Sequence, residues 1–232
     1  MRRLALLVAI CLAGISAAEA MAPIASNCER EAVQGEITSC EQAVAANPGD
    51  LVSQANLAKA HFLRGNYQRS LEIYRLVAQH APNEAKAHFD YGTALVMLRQ
   101  YLPAVPELQR ATELDAKYVD AYRILSIAFT LARQPEDAHP ALLAAANLGS
   151  ELEMFQLAEN YELGVGTRPD PAEALRWLME AAKRGHIGAM DKLAEVYSTG
   201  ELAQTKDSAQ AETWKAKANA ARLALGIASD KN

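Results

Sequence analysis

Between residues 51 and 152 the large apolar and the small residues recur with a period of 34. Laid over one another, residues 51–84, 85–118 and 119–152 align Leu57 with Tyr91 and Leu125, and Ala58 with Gly92 and Ser126. His61 then meets Leu95 and Phe129, Ser70 meets Ala104 and Ala138, and Tyr74 meets Leu108 and Leu142. Within a copy these positions lie three and four residues apart, the spacing of one helical face. Small residues that recur beside large ones mark places where two helices approach closely. After Gly149 the period lengthens: Leu157, Tyr161 and Gly164 recur 36 residues on as Leu193, Tyr197 and Gly200. Asp170, Ala174, Trp177 and Ala181 recur 37 on as Asp207, Ala211, Trp214 and Ala218. A period in this range is the signature of stacked helix pairs, each burying its apolar face against the next.

The first set resembles the tetratricopeptide repeat. Its best copy is ANLAKAHFLRGNYQRSLEIYRLVAQHAPNE, in which Gly65 and Tyr67 mark the turn between helices and Pro82 the exit from the second. Later copies depart from it, with Ala116 in place of the exit proline and Pro135 in place of the turn aromatic. Pro106 and Pro140, also 34 apart, are expected within the first turn or so of their second helices, where a missing N–H is tolerable. The second set, beginning LAENYELGVGTRPDPAEALRWLMEAAKRGH, resembles the Sel-one-like repeat, with G-x-G ahead of D-x-x-x-A-x-x-W. Its second copy carries Leu202 where the second glycine belongs. Gly164-Val165-Gly166 reads as turn geometry and not as a phosphate loop, because no strand precedes it and no Lys-Ser/Thr follows.

Together these resemblances imply an all-α, right-handed αα-solenoid of helix-turn-helix repeats. Three tetratricopeptide-like pairs cover 51–148 and two Sel-one-like pairs cover 149–220. Residues 21–50 read as a shortened first copy, in which NCEREAVQG forms a helix ending near Gly35 and CEQAVAANPGD a second helix with Pro48 at its exit. Over 221–232, Ala221 to Ile227 are expected to extend the last helix, and Ser229 to Asn232 to fray.

The first twenty residues, MRRLALLVAICLAGISAAEA, have the order of a secretory signal peptide. Arg2 and Arg3 are followed by an apolar stretch from Leu4 to Ile15 and the small-x-small site Ala18-Glu19-Ala20. That stretch is shorter than the ~20 residues a membrane-spanning helix requires. The expectation is cleavage after Ala20, a periplasmic or secreted chain and no stable membrane insertion; the alternative is an uncleaved anchor or a buried N-terminal helix. Ile10 is too bulky for Cys11 to be a lipid-bearing cysteine. Loss of Arg2, Arg3 and Glu19 moves the net charge from −5 to −6. Cys28 and Cys40 remain, and in an oxidising compartment a disulfide between them is the default, stapling the end hairpin. Two separately buried thiols are the alternative.

Composition narrows the function. Of 232 residues half are apolar and 22% charged, too apolar for a disordered chain, and alanine fills about a fifth of positions, a helix-favouring bias. The acidic balance offers no basic footprint for nucleic acid. The chain contains no G-x-S-x-G, H-E-x-x-H, Walker or dinucleotide motif, and its five histidines form no ligand spacing. Glu159 and Glu162, three apart, read as a solvated helix surface, and Trp177 and Trp214 as inter-helix packing. No enzyme activity, cofactor or metal is expected.

The expected site is the concave surface lined by the first helix of each pair. Counting Leu57, Tyr91, Leu125, Leu157 and Leu193 as position 7, positions 2, 5, 9 and 12 form a stripe separate from the packing face. By resemblance these are the ligand-facing positions of tetratricopeptide repeats. They read Val52, Ala55, Lys59, Phe62; Lys86, Phe89, Thr93, Val96; and Asp120, Arg123, Ile127, Thr130. The Sel-one-like copies continue with Leu152, Phe155, Glu159, Glu162; and Gly188, Asp191, Glu195, Ser198. The stripe thus begins apolar with cations and turns acidic, which would orient a protein or peptide segment of opposite polarity. Ala55 and Lys59 stand where carboxylate-clamping repeats carry Lys and Asn, so no capture of a C-terminal tail is expected. Families that resemble this mixture often serve as scaffolds for envelope assemblies or polysaccharide export. The rival reading is a structural subunit that assembles through its convex face; the bland one is that Phe62, Phe89 and Phe155 complete inter-repeat packing.

Overall fold

Each repeat copy folds into two helices joined by a short turn, in a computed structural model that describes residues 27–30 and 32–227. The expected signal peptide over 1–20 and the tail Ser229–Asn232 lie outside the described residues. A short helical stretch at 27–30 precedes α1 (Thr38–Ala46). The pairs are α2 (Leu51–Leu63) with α3 (Tyr67–His80), α4 (Ala85–Met97) with α5 (Tyr101–Leu114), and α6 (Val119–Leu131) with α7 (Pro135–Asn147). They continue with α8 (Glu151–Leu163) and α9 (Pro171–Lys183), then α10 (Ile187–Thr199) and α11 (Ser208–Ala224). Among the described residues there is no strand. The chain divides between Leu114 and Asp115 into two compact units.

In the first unit, Cys28 and Cys40 are joined by a disulfide with a Cα–Cα distance of 4.4 Å, tying the stretch at 27–30 to α1. Both sulfurs enter a core that continues through Leu57 and Ala58 of α2, Ile73 and Tyr74 of α3, and Ala94 of α4. Asp50 caps α2 by accepting from the Val52 N–H at 3.1 Å. The need for a small residue at position 8 is visible at Gly92, where an added Cβ would stand 2.7 Å from Leu108 Cγ.

In the second unit one core runs from Leu142 and Ala146 of α7 through Leu157, Trp177 and Leu193 to Trp214 and Ala218 of α11. The change of repeat length near residue 149 therefore leaves the packing uninterrupted. Asp170 accepts from the N–H groups of Ala172 and Glu173, and Asp207 from that of Gln210, so the aspartates that recur in the sequence are helix caps. Gly164 and Gly166 take left-handed backbone (φ 73° and 68°), which makes this G-x-G a helix-ending turn. Pro135 opens α7 at its first residue, where no N–H is missed.

Two expectations are corrected. Pro106 and Pro140 lie at the sixth residue of α5 and α7, inside the second turn and not the first, because the turns ahead of them are short and the helices begin early. Each withholds one internal hydrogen bond from its helix. The extension at the C-terminal end stops at Ala224, three residues short of Ile227.

Candidate functional site

The first helices turn their position-7 and position-8 face inward: Leu57 and Ala58, Leu125 and Ser126, Leu157 and Ala158 are buried, as are Gly92 and Leu193, while Tyr91 and Ala194 are half-buried. The neighbouring stripe is left exposed or half-buried at Val52, Ala55, Lys59 and Phe62 on α2, and at Lys86, Phe89 and Thr93 on α4. Val96 is the exception and is buried in the core. Phe62 packs edge-on against Tyr67 with ring centroids 5.1 Å apart. In the second unit the stripe comprises Asp120, Arg123, Ile127 and Thr130 on α6, Leu152, Phe155, Glu159 and Glu162 on α8, and Gly188, Asp191, Glu195 and Ser198 on α10.

Charges on this stripe are more paired than their sequence suggests. Lys86 binds Asp90 one turn on, and Arg123 binds Asp120 at 2.6 Å. Asp191 is held by Arg222 of α11. Lys86 and Arg123 thus each have a carboxylate partner on their own helix.

The sequence reading also missed a set of residues. Position 13, the last residue of the first helix, is an exposed aliphatic in four successive copies: Leu63 (54% exposed), Met97 (62%), Leu131 (48%) and Leu163 (72%). The period that aligns the core aligns these residues as well.

Two cavities open between first helices of the second unit. The larger, about 370 Å³, lies between α6 and α8 and is walled by Ile127, Leu131, Leu163 and Val165, with Glu159 at its polar side. The smaller, about 240 Å³, lies between α8 and α10 and is bounded by Phe155, Glu159, Glu162, Lys192 and Leu202. In the smaller one Lys192 Nζ stands 3.2 Å from Glu162, 3.5 Å from Glu195 and 3.3 Å from Glu201. Partial burial lowers the Lys192 pKa, but the hydrogen bonds and charges of these glutamates outweigh it and hold the ammonium above its ordinary range.

Glu159 borders both cavities and makes no hydrogen bond or ion pair among the described residues. Burial first, and then the nearby charge of Glu162, raise its carboxyl above the usual range, with Lys192 opposing. Phe155 is fixed by stacking on His186 at 4.6 Å. His186 in turn caps α10, its Nδ1 accepting from the Ala189 N–H at 3.1 Å. Burial lowers the His186 pKa, the charge of Glu151 opposing, which favours the neutral imidazole that an accepting ring nitrogen requires.

Among the described residues, no group of three or more His, Cys, Asp or Glu is placed to hold a metal ion, and no helix is long and apolar enough to cross a membrane. Trp177 and Trp214 are buried, with the Arg176 guanidinium 4.1 Å and the Lys217 ammonium 4.0 Å from the ring centroids.

No protein-family model matches the chain. The E3 ubiquitin-protein ligase CHIP of Arabidopsis thaliana is 31% identical over 98 residues, 42% of this chain. The chain spans about a third of that relative's length, 35%. Solved structures align over most of both chains. A Sel1 repeat protein from Oxalobacter formigenes gives a TM-score of 0.58 at 23% identity, covering 85% of this chain and 88% of that one. MamA from Desulfovibrio magneticus RS-1 gives 0.57 at 20%, covering 73% and 95%. YrrB, described as a TPR protein with an unusual peptide-binding site, gives 0.57 at 20%, covering 81% and 94%. Helix order, consecutive pairing and these likenesses agree: the chain has the all-α αα-solenoid fold of the tetratricopeptide and Sel1-like helix-pair repeats.

Proposed function

We propose that this chain is a non-enzymatic protein-binding module that takes a segment of a partner protein along the first-helix stripe of its repeats. The observation that carries this reading is the recurrence of exposed aliphatic residues at position 13, beside stripe residues such as Val52, Ile127 and Leu152 that are also exposed. A soluble fold has no structural need to repeat an apolar residue on an open edge four times, whereas a recognition surface does. The fold is shared with a protein described as having a peptide-binding site, which supports the reading by analogy. The module is proposed to act outside the reducing cytosol, in a bacterial envelope complex or a secreted setting. The Cys28–Cys40 disulfide and the signal-like first twenty residues support that compartment.

The test is site-specific photocrosslinking in the native cell. A photoreactive side chain placed at Leu131 or Met97 should capture a partner that one placed at Arg75 or Glu113, on second helices, does not. Leu131→Asp together with Leu163→Asp should abolish capture while the helical circular dichroism signal stays normal. Capture of further copies of this chain from Arg75 and Glu113 alone would overturn the reading in favour of self-assembly through the second helices. The mature mass tests the compartment: the expected chain begins after Ala20 and is two hydrogens lighter than its reduced form. A full-length reduced chain would overturn it.

A further inference from the structure

This inference rests on the stripe being a binding surface, and names the chemistry of what it binds. The two cavities of the second unit are the same place in successive repeats, so their linings can be compared residue by residue. In the smaller cavity a lysine, Lys192 at position 6, lies between Glu162 at position 12 of the preceding first helix and Glu195 at position 9 of its own. In the larger one the corresponding residues are Gln156, Thr130 and Glu159. Gln156 bonds Asn160 at 3.3 Å, and the Thr130 hydroxyl donates to the Ser126 carbonyl at 2.8 Å. Of the lysine-binding set only one carboxylate is kept, and the lysine itself is missing. Aliphatic walls surround the space, from Ile127 and Leu131 on one helix to Leu163 and Val165 on the other side.

We propose that the larger cavity takes an aliphatic side chain of a partner segment together with an adjoining lysine or arginine, whose charged head pairs with Glu159 as Lys192 pairs with Glu162 and Glu195 one repeat on. A cationic side chain suits such a site because its methylene stem lies along apolar surface while its head reaches a carboxylate. Glu159 has no partner of its own to surrender when the cation arrives. An acidic segment meets the Glu159 carboxylate in this cavity and is rejected. The raised Glu159 carboxyl is the mark of a charge that a cation would relieve.

The experiment is a nuclear magnetic resonance titration of the full chain, methyl-labelled at isoleucine and leucine. The probes are three short Gly/Ser peptides that differ only at their centre: leucine–lysine, leucine–glutamate and serine–lysine. The leucine–lysine peptide should shift the Ile127 and Leu131 methyls and bind about tenfold more tightly than the leucine–glutamate peptide. Glu159→Gln should bring those two within about twofold, and salt near 0.5 M should shrink the difference in the wild type. Ile127→Asn should remove binding of both. Equal affinity for the lysine and glutamate peptides, with loss of both in Ile127→Asn, would overturn the cation preference and leave stripe binding standing. Failure of every peptide to shift the Ile127 and Leu131 methyls would overturn the inference outright, while the crosslinks at Met97 in the first unit judge the stripe separately. A normal melting curve for each variant excludes unfolding as the cause.

Discussion

Glu159 is a side chain whose burial opposes stability near neutral pH. Its carboxyl is raised in the fold, so the folded chain holds that proton more tightly than the unfolded chain does. The favourable contribution is present below the ordinary value of 4.5 and is lost as pH rises through the raised one. Glu159→Gln is therefore expected to melt higher than wild type at pH 7 and to lose that advantage near pH 4, as differential scanning calorimetry would read. His186 works with the opposite slope. Burial depresses it, so its contribution is full above 6.5 and falls away as pH drops below that value and the unfolded chain takes up the proton first. The melting temperature should decline between about pH 7.5 and 5.5, and His186→Asn, which keeps a capping acceptor without titrating, should flatten that decline. His61 and His139 are depressed too and will account for the slope that remains. At this scale the sequence was only partly legible. The pairing of Lys86 with Asp90 and of Arg123 with Asp120 was written in their four- and three-residue spacing, yet a stripe read one helix face at a time counts those cations as free. The isolation of Glu159 was not legible, because Lys192 of the next first helix is engaged by Glu162, Glu195 and Glu201, and no helical period sets the position of Glu201 in its loop.

Among the elements, the two Sel1-like turns show what a glycine is for. An added Cβ on Gly166 would stand 2.1 Å from the carbonyl oxygen of Pro135, so this turn rests directly on the start of α7. Gly166→Ala adds a left-handed penalty of about 1–2 kcal/mol to that backbone clash, and is expected to lower stability by about 3 kcal/mol or more in denaturant titration. The corresponding Leu202 bears the left-handed conformation itself at φ 50° and packs against the core of the second unit. Leu202→Gly should relieve strain but lose packing and enlarge the smaller cavity, leaving a net change within about 1 kcal/mol. Pro106 is the converse case. It is exposed within α5, so Pro106→Ala restores a donor and should stabilise by up to about 3 kcal/mol. The repeat register placed both prolines correctly relative to each other and misjudged their depth in the helix. Helix starts are set by turns such as the one at Arg99, whose left-handed backbone (φ 61°) closes α4 within three residues of α5.

Taken as a whole, the chain was most legible where packing repeats and least where neighbouring repeats differ. Leu57, Tyr91 and Leu125 sufficed to place the pairs, because burial demands the same residue type at the same place in each copy. The change in repeat length after Gly149 looked like a boundary, but Leu142 and Ala146 share a core with Leu157 and Trp177. Spacing within a turn does not determine which helix faces meet. The disulfide was legible from compartment and parity, and it carries a prediction at this scale. Reduction should release about 3 kcal/mol of chain-entropy stabilisation from the end hairpin, so amide exchange should quicken over 27–63 and remain slow in α9 and α10. The two tryptophans carry a different consequence. Trp177 and Trp214 are the chain's full complement, and both are buried beyond Asp115. Intrinsic emission excited at the red edge of protein absorbance is therefore blind to the first unit and reports only on the one that holds both cavities, so the binding proposed there would carry an optical signal that needs no dye.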